Sequence, residues 1–500
     1  MNDIRNFAQD YKTIMDANRQ EVMIKLDAER KCTYTYDEID GYVRRMCAFL
    51  KANNVKAGDT LVTVLPNSVE AIVCFLGALL SGISYAPLPC TVSERECSNW
   101  CNIVKPSLII SKNNIVDYAF PVNAVQCNGD GDINSWLPSD EADTLTDTKS
   151  KIYLMTSGTT GAPKAMSIDI NKLWSSGVEF ADYYGIRQIK PRFWNYLPMS
   201  YLGGLYNLAL IPFSCGGSFV ITEPFSGKTI LNYWNFVANN EITALWLVPS
   251  IVQGLCKIGK LLGSKKTHEY AAKVKICFVG TAPIRVKQKQ DFEEMFGVMM
   301  YENFALSEST FLTAETKENI RFREESSVGT VLPYVSLKLK PVDGVEGVGG
   351  IWIKSPYLFD GYLDENGNVN LELDEEGYFN TKDLGYFNED NVLVLSGRNR
   401  DIIKKGGNFV SLVEIEHVVG TNAYIEDCVA VPVEHEFYGE AYILCIISDD
   451  EGAEDKLRMW LLENIVPYKM PEKIIKCSSF PRTSSGKIIK NEIREKYYGK

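Results

Sequence analysis

The stretch Lys151–Asp169, KIYLMTSGTTGAPKAMSID, starts as an apolar run and breaks into small and hydroxylated residues, Thr156–Ala162, before Pro163 and Lys164. KIYLM predicts a buried strand. A turn of glycine, serine and threonine after a strand offers backbone N–H groups and hydroxyls to an anion, because glycine lets the backbone come close. Lys164 adds a compact positive charge suited to phosphate. A Walker loop, G-x-x-x-x-G-K-[ST], fails to match: Gly158 and Gly161 are too close, and Pro163 separates the loop from Lys164. Taken alone, the loop is either an anion cradle or a plain surface turn.

Composition narrows the choice. The chain has 500 residues, more than the roughly 250–300 that one hydrophobic core supports, so at least two domains are expected. Its apolar fraction of 45% and charged fraction of 23% are those of an ordinary globular protein. A net charge of −12 argues against nucleic acid as a partner. The N-terminus, MNDIRNFAQDYK, carries charges of both signs and reads as no signal peptide. The longest apolar run, AIVCFLGALL, falls well short of the roughly 20 residues that span a bilayer, so no membrane insertion is expected. Thirteen cysteines without CxxC spacing point to a reducing, cytoplasmic setting. His268, His417 and His435 have no partners for a triad or metal site nearby in sequence and read as solvated surface.

Along the chain, TLVTVLP, SLIIS, IYLMTS, GSFVIT, ALWLVPS and KICFVGTAP read as strands, whereas SVEAIVCFLGALLSG and ILNYWNFVANN read as helices. Their alternation predicts α/β layers with a largely parallel sheet. Residues 127–150 read as a polar surface connection. From about 330 the texture changes to strands separated by Gly and Asp turns, a small β-rich subdomain, and the residues from about 400 carry their own strand and helix signals. The expected fold is therefore α/β: a large N-terminal domain, 1–399, of α/β layers with the β-rich subdomain, then a small α+β C-terminal domain, 400–500.

The loop SGTTGAPK closely resembles the phosphate-binding signature of the adenylate-forming superfamily, which includes acyl- and aryl-CoA synthetases, nonribosomal peptide adenylation domains and luciferases. Ala165 stands where the family usually has glycine. Other segments follow in family order. LPNSVEAIVCFLGALLSGISYAPL resembles the helix and turn ahead of the loop, and YENFALSES (301–309) resembles the aromatic-Gly-x-Thr-Glu motif. Residues 377–416 resemble the paired Thr-Gly-Asp and Gly-Arg-x-x-Asp motifs, with Lys382 in place of glycine, and PRTSSGKI (481–488) resembles the C-terminal Pro-x-Thr-x-x-Gly-Lys segment. Together these cover essentially the whole chain.

The resemblance implies a two-step reaction: a carboxylate attacks the α-phosphate of ATP, releasing pyrophosphate, and a thiol then displaces AMP from the acyl-adenylate. By the same resemblance Thr156, Ser157, Gly158, Thr159, Thr160, Gly161 and Lys164 cradle the outer phosphates, and Glu308 holds Mg²⁺, a cation that favours oxygen ligands. Phe304 stacks on adenine; Glu302, Asn303 and Ser307 belong to the same segment, and Gly280, Thr281, Ala282 and Pro283 wall the other face. Asp383 and Arg398 hold the ribose through charge-assisted hydrogen bonds. Lys487 bridges the carboxylate and the α-phosphate, Arg400 marks the hinge of the mobile C-terminal domain, and Gly406 and Gly407 open the thiol tunnel. The catalytic set is Lys487, Glu308 and Lys164. Neither half-reaction needs a protein nucleophile; both are problems of positioning and charge.

Residues 197–217, with Tyr201 and Gly203, resemble the acyl-pocket region; Tyr206, Trp246 and Phe311 either line it or pack in the core. No acidic residue lies between Trp194 and Gly217 to pair with an α-ammonium, which disfavours amino acids. Fatty, aryl and short organic acids all stay open. The expected thiol is that of CoA; a separate acyl carrier protein is the alternative, and a non-catalytic nucleotide-binding regulator is an alternative of another class. A kinase-like ATPase is disfavoured by the absence of a Walker or kinase Gly-rich signature.

Overall fold

The computed structural model describes residues 3–26, 32–116, 118–127, 133–145, 147–156, 164–225, 227–262, 268–269, 271–280, 284–342, 345–364, 366–398, 401–406, 408–482 and 488–499. Among these, two mixed sheets with parallel centres carry the large part of the molecule. One has eight strands in the order Val369–Asn370, Gly361–Leu363, Lys164–Asp169, Lys151–Thr156, Ser84–Leu88, Thr60–Val64, Leu108–Lys112 and Ala124–Cys127. The other has seven: Met300–Glu302, Ile276–Val279, Ala244–Leu247, Arg192–Asn195, Ser218–Ile221, Val22–Leu26 and Thr33–Thr35. The expectation of one largely parallel sheet thus resolves into two, each closed at an end by antiparallel strands. The strands read from sequence all form.

Helix Val69–Leu80 is buried at every position, as its apolar run from Ala71 onward requires, with Glu70 buried in its first turn, and Ser68 caps it by accepting from Ala71 N. The segment ILNYWNFVANN forms two short helices, Gly227–Leu231 and Tyr233–Asn239, divided at Asn232. Residues 127–150 are not wholly a surface connection: Cys127, Ile133, Leu137, Thr148 and Ser150 are buried beneath them.

The β-rich part is a four-stranded antiparallel sheet, Ser336–Val342, Val345–Lys354, Phe379–Phe387 and Leu393–Arg398. Its excursion Gly361–Leu363 leaves it to pair with Lys164–Asp169 of the eight-stranded sheet. A last sheet, Asn408–Ser411, Ile402–Lys405, Gly439–Ile447, Asp427–His435 and Lys473–Lys476, has apolar clusters of its own on its two faces. It meets the rest of the chain through Arg285, which donates to Gly420 O (2.7 Å) and Glu426 O (2.6 Å), and through Lys257 to the Glu426 carboxylate (2.5 Å). His417 is half-buried against Ser326 rather than solvated, and burial pushes it down to about 4. All thirteen cysteines are free thiols. No helix among the described residues is long and apolar enough to cross a membrane.

A buried ion cluster ties the two ends of the strand Met300–Glu302 together. Lys289 donates to Glu302 (2.7 Å) and Glu315 (2.9 Å), and Arg323 to Glu315 (2.8 Å) and Glu293 (2.9 Å). Burial lowers Lys289, but the two carboxylates more than offset this and hold it above its usual value. Deleting one charge strands the others in a dry site. Lys289→Met is expected to lower the stability of the large domain by about 3–5 kcal/mol, read from urea unfolding. A change within about 0.5 kcal/mol would contradict the role of the cluster.

Candidate active site

The quoted stretch folds as an antiparallel hairpin. Lys151–Thr156 pairs with Lys164–Asp169 in a register that sets Thr156 opposite Lys164, so the intervening residues form its connection. This explains the failure of the Walker pattern, which joins a strand to a helix. The helix Ile170–Tyr183 follows only after the second strand, capped by Asp169, which accepts from Asn171 N (2.8 Å) and Lys172 N (3.2 Å). Ser157, Gly158, Thr159, Thr160, Gly161, Thr281, Ala282, Pro283, Arg400, Gly407 and Lys487 lie outside the described residues, as do the side chains of Thr156 and Lys164.

Three separate segments converge beside this hairpin. Glu308 follows the strand Met300–Glu302, and its carboxylate Oε1 accepts from Tyr362 Oη at 2.5 Å. Tyr362 lies on the short strand paired directly with the hairpin, opposite Met166. Asp383 and Arg398 face each other across neighbouring strands of the β-rich sheet, and Arg398 Nε donates to Asp383 Oδ1 at 2.9 Å. The groups share one electrostatic neighbourhood: Glu308 raises both Asp383 and Tyr362, while Arg398 lowers both.

Asp383 is 6% exposed, and its second oxygen, Oδ2, has no hydrogen-bond partner among the described residues. Burial pushes this carboxyl up to about 6, and Arg398 only partly counters it. A buried carboxylate oxygen left unpaired costs free energy unless a ligand donates to it. Vicinal hydroxyls of a sugar are donors of the right kind. Lys382 has φ of +63°, so this turn takes the left-handed conformation that glycine would adopt freely, and Asp383 N donates to Thr381 Oγ1 (3.1 Å) to hold it. The departure from the family glycine thus keeps the turn.

Phe304 is buried at 8% exposure, with its carbonyl accepting from Leu312 N (2.9 Å). Glu302, expected as a nucleotide contact, has its carboxylate taken by Lys289, its N–H donated to Glu315 Oε2 (2.7 Å) and its carbonyl accepting from Glu315 N (2.9 Å). Asn303 adjoins Gly280, and Tyr201 Oη lies 3.2 Å from Ser307 Oγ, joining the start of a π-helix, Gly203–Leu210, to the Glu308 segment. Gly203 and Gly204 are buried there; a β-carbon on Gly204 would lie 2.5 Å from Pro198 O. Trp246, Phe311 and Tyr206 pack together, Tyr206 stacked on Phe311 at 5.7 Å, and belong to the core. Gly406 has φ of +57° in the turn between Ile402–Lys405 and Asn408–Ser411, and Lys405 Nζ is tied to Met470 O (2.6 Å). Tyr362 was not singled out from the sequence, because a tyrosine in a short, irregular segment carries no periodic signal.

Adenosine binding offers a direct check of the Asp383 environment. Only the ionised carboxylate accepts from both sugar hydroxyls, so affinity is expected to fall by about tenfold per pH unit below about 6 and to level off above it. Asp383→Asn removes the dependence. A flat wild-type profile from pH 7 to 5 by calorimetry would contradict this assignment.

Comparison with known proteins identifies the family. The AMP-binding enzyme family matches residues 15–363, and the AMP-binding enzyme C-terminal domain matches residues 414–487. The chain is 26% identical to a probable CoA ligase, CCL9, of Humulus lupulus, over 93% of this chain and 91% of that one. It is 24% identical to an oxalate–CoA ligase of Arabidopsis thaliana over 95% and 96%. Its fold is similar to that of ATP-bound MatB from Rhodopseudomonas palustris, with a TM-score of 0.86, 23% identity and 99% of each chain covered. MenE from Bacillus subtilis in complex with AMP aligns with a TM-score of 0.82 and 19% identity, over 97% and 98%. The chain belongs to the AMP-binding enzyme family, within the adenylate-forming superfamily, and is an ATP-dependent, AMP-forming ligase.

Proposed function

We propose that this ligase activates a small carboxylic acid as its acyl-adenylate and passes the acyl group to the thiol of CoA. The observation that carries the reading is Asp383 Oδ2, unpaired among the described residues, buried beside Arg398 and within the field of Glu308. Asp383 accepts from the ribose hydroxyls, and Arg398 donates to the same sugar. Phe304 and residues 280–283 hold adenine, while Thr156–Gly161 and Lys164 bind the outer phosphates. Glu308 suits a Mg²⁺ ion, since Oε2 stays outside its hydrogen bond to Tyr362 among the described residues. When bound, the ion neutralises charge on the phosphates.

The chain's own part is then positional. Lys487 brings the acid's carboxylate and the α-phosphate together, and no side chain forms a covalent bond. Residues 1–399 form the ATP- and acid-binding domain; residues 400–500 form a lid that swings at Arg400 and presents Gly406 and Gly407 to the thiol in the second step. The relatives named CoA ligases support CoA over a carrier protein. A cytosolic location fits free cysteines and a need for ATP.

Acid-dependent exchange of pyrophosphate into ATP tests the first half-reaction. Lys487→Ala is expected to cut exchange by about 100- to 1,000-fold while leaving thioester formation from a supplied acyl-adenylate within a few-fold of wild type. Equal loss of both would contradict the division of labour between the two lid positions.

A further inference from the structure

The lid docks on the large domain around one guanidinium, and this decides which half-reaction the arrangement serves, an inference that rests on the function just proposed. Arg285 stands at the start of the helix Val286–Phe296, two residues beyond Pro283. Its backbone is fixed in place: Arg285 N donates to Gln288 Oε1 (3.3 Å) and Val286 N to Glu325 Oε2 (3.3 Å). From there the side chain crosses to the lid, where Nη1 donates to Gly420 O (2.7 Å) and Nη2 to Glu426 O (2.6 Å). Gly420 is the last residue of the helix Leu412–Gly420, so the cation sits at the carbonyl end that a helix cannot pair internally. Two charge-assisted bonds from one planar group fix an angle as well as a distance.

The lid is shaped to receive this side chain. A β-carbon on Gly420 would lie 2.9 Å from Arg285 Cδ and 3.0 Å from Nη1, so glycine is what lets the guanidinium reach that carbonyl unshifted. Two flanking contacts complete the seat. Lys257 Nζ meets the Glu426 carboxylate at 2.5 Å, and Ser326 Oγ lies 2.5 Å from His417 Nε2, about one turn before Gly420. Ser326 has φ of +63°, and its neighbour Glu325 is the residue that braces Val286. One strained segment therefore supports both the helix start that carries Arg285 and the contact with His417.

The turn assigned to the thiol faces solvent in this arrangement. Gly406 is exposed and its N–H donates to Tyr438 O (3.1 Å), while Phe409, Phe437 and Tyr438 are 36%, 84% and 40% exposed. A turn that guides a thiol to the acyl-adenylate has to lie against the large domain. Of the orientations that the two steps require, the one held here is thus the first. We propose that Arg285 is a positioning residue for adenylation: it docks the lid in the orientation of the first half-reaction, and its two bonds break before the thiol is presented.

Two measurements on the full chain test this. Deuterium uptake, read by mass spectrometry, is expected to rise in Leu412–Gly420 when Arg285→Ala frees that helix, with the strands of the large domain unchanged. Pyrophosphate exchange is measured with the best of butanoate, octanoate, benzoate, 4-hydroxybenzoate and succinate. There the variant is expected to lose about 10- to 100-fold in kcat. Thioester formation from the matching acyl-adenylate is expected at or above the wild-type rate, with adenosine affinity unchanged. Arg285→Lys, a single-point donor, recovers only part of the loss. Gly420→Ala favours the helix but crowds the guanidinium. It is expected to shift the two rates in the same direction, and it decides the matter should Arg285→Ala fail to fold. Unchanged uptake, equal loss of both half-reactions, or a loss confined to thioester formation would overturn the inference and leave the ligase reading intact. So would a loss of adenosine affinity, since that would place Arg285 in the nucleotide site. Silence of the wild type with every acid, with ATP binding retained, would overturn the ligase reading and this inference with it.

Discussion

The hydrogen bond from Tyr362 to Glu308, at 2.5 Å, joins parts of the chain that are otherwise built independently. Tyr362 belongs to a strand that leaves the β-rich sheet and pairs with the hairpin strand Lys164–Asp169, while Glu308 ends the segment that follows the seven-stranded sheet. The bond thus fixes the hairpin and Glu308 against one another, with Asp383 within the field of Glu308. Asp360, just before this strand, reinforces the join by accepting from Lys172 (2.9 Å), Lys151 (3.1 Å) and Ser167 (3.2 Å). Preorganised polar groups of this kind cost nothing to reorganise as charge develops on a phosphate.

The surrounding interior supports that arrangement with two unusual features. Lys289 and Arg323 are buried among three glutamates, an expensive choice that locks the strand leading into Glu308. Thr310, two residues beyond Glu308, has φ of +60°, an uncommon conformation for a β-branched residue, held by the 2.5 Å contact of its hydroxyl with Ser176. Strain and buried charge are thus concentrated where the backbone around Glu308 has to be fixed.

Much of this was legible in the sequence. The loop Thr156–Lys164, Asp383 and Arg398 stand out because their chemistry is local: small residues, a single lysine, a carboxylate and a guanidinium at short spacing. Strand positions follow from apolar runs, and all those read that way form. Other features depend on tertiary pairing and leave no periodic trace. Tyr362 returns to another sheet, His417 is covered by Ser326 from a distant segment, and Glu302 is claimed by Lys289 thirteen residues earlier.

The most direct test of acid activation is the fate of the acid's oxygen. With a carboxylate labelled with ¹⁸O on both oxygens, attack on the α-phosphorus followed by thioester formation must leave one labelled oxygen in AMP. Mass spectrometry of the nucleotide from a single turnover with CoA is expected to show AMP carrying that one label. Unlabelled AMP, or label in ADP or inorganic phosphate, would contradict adenylation as the way this protein uses ATP.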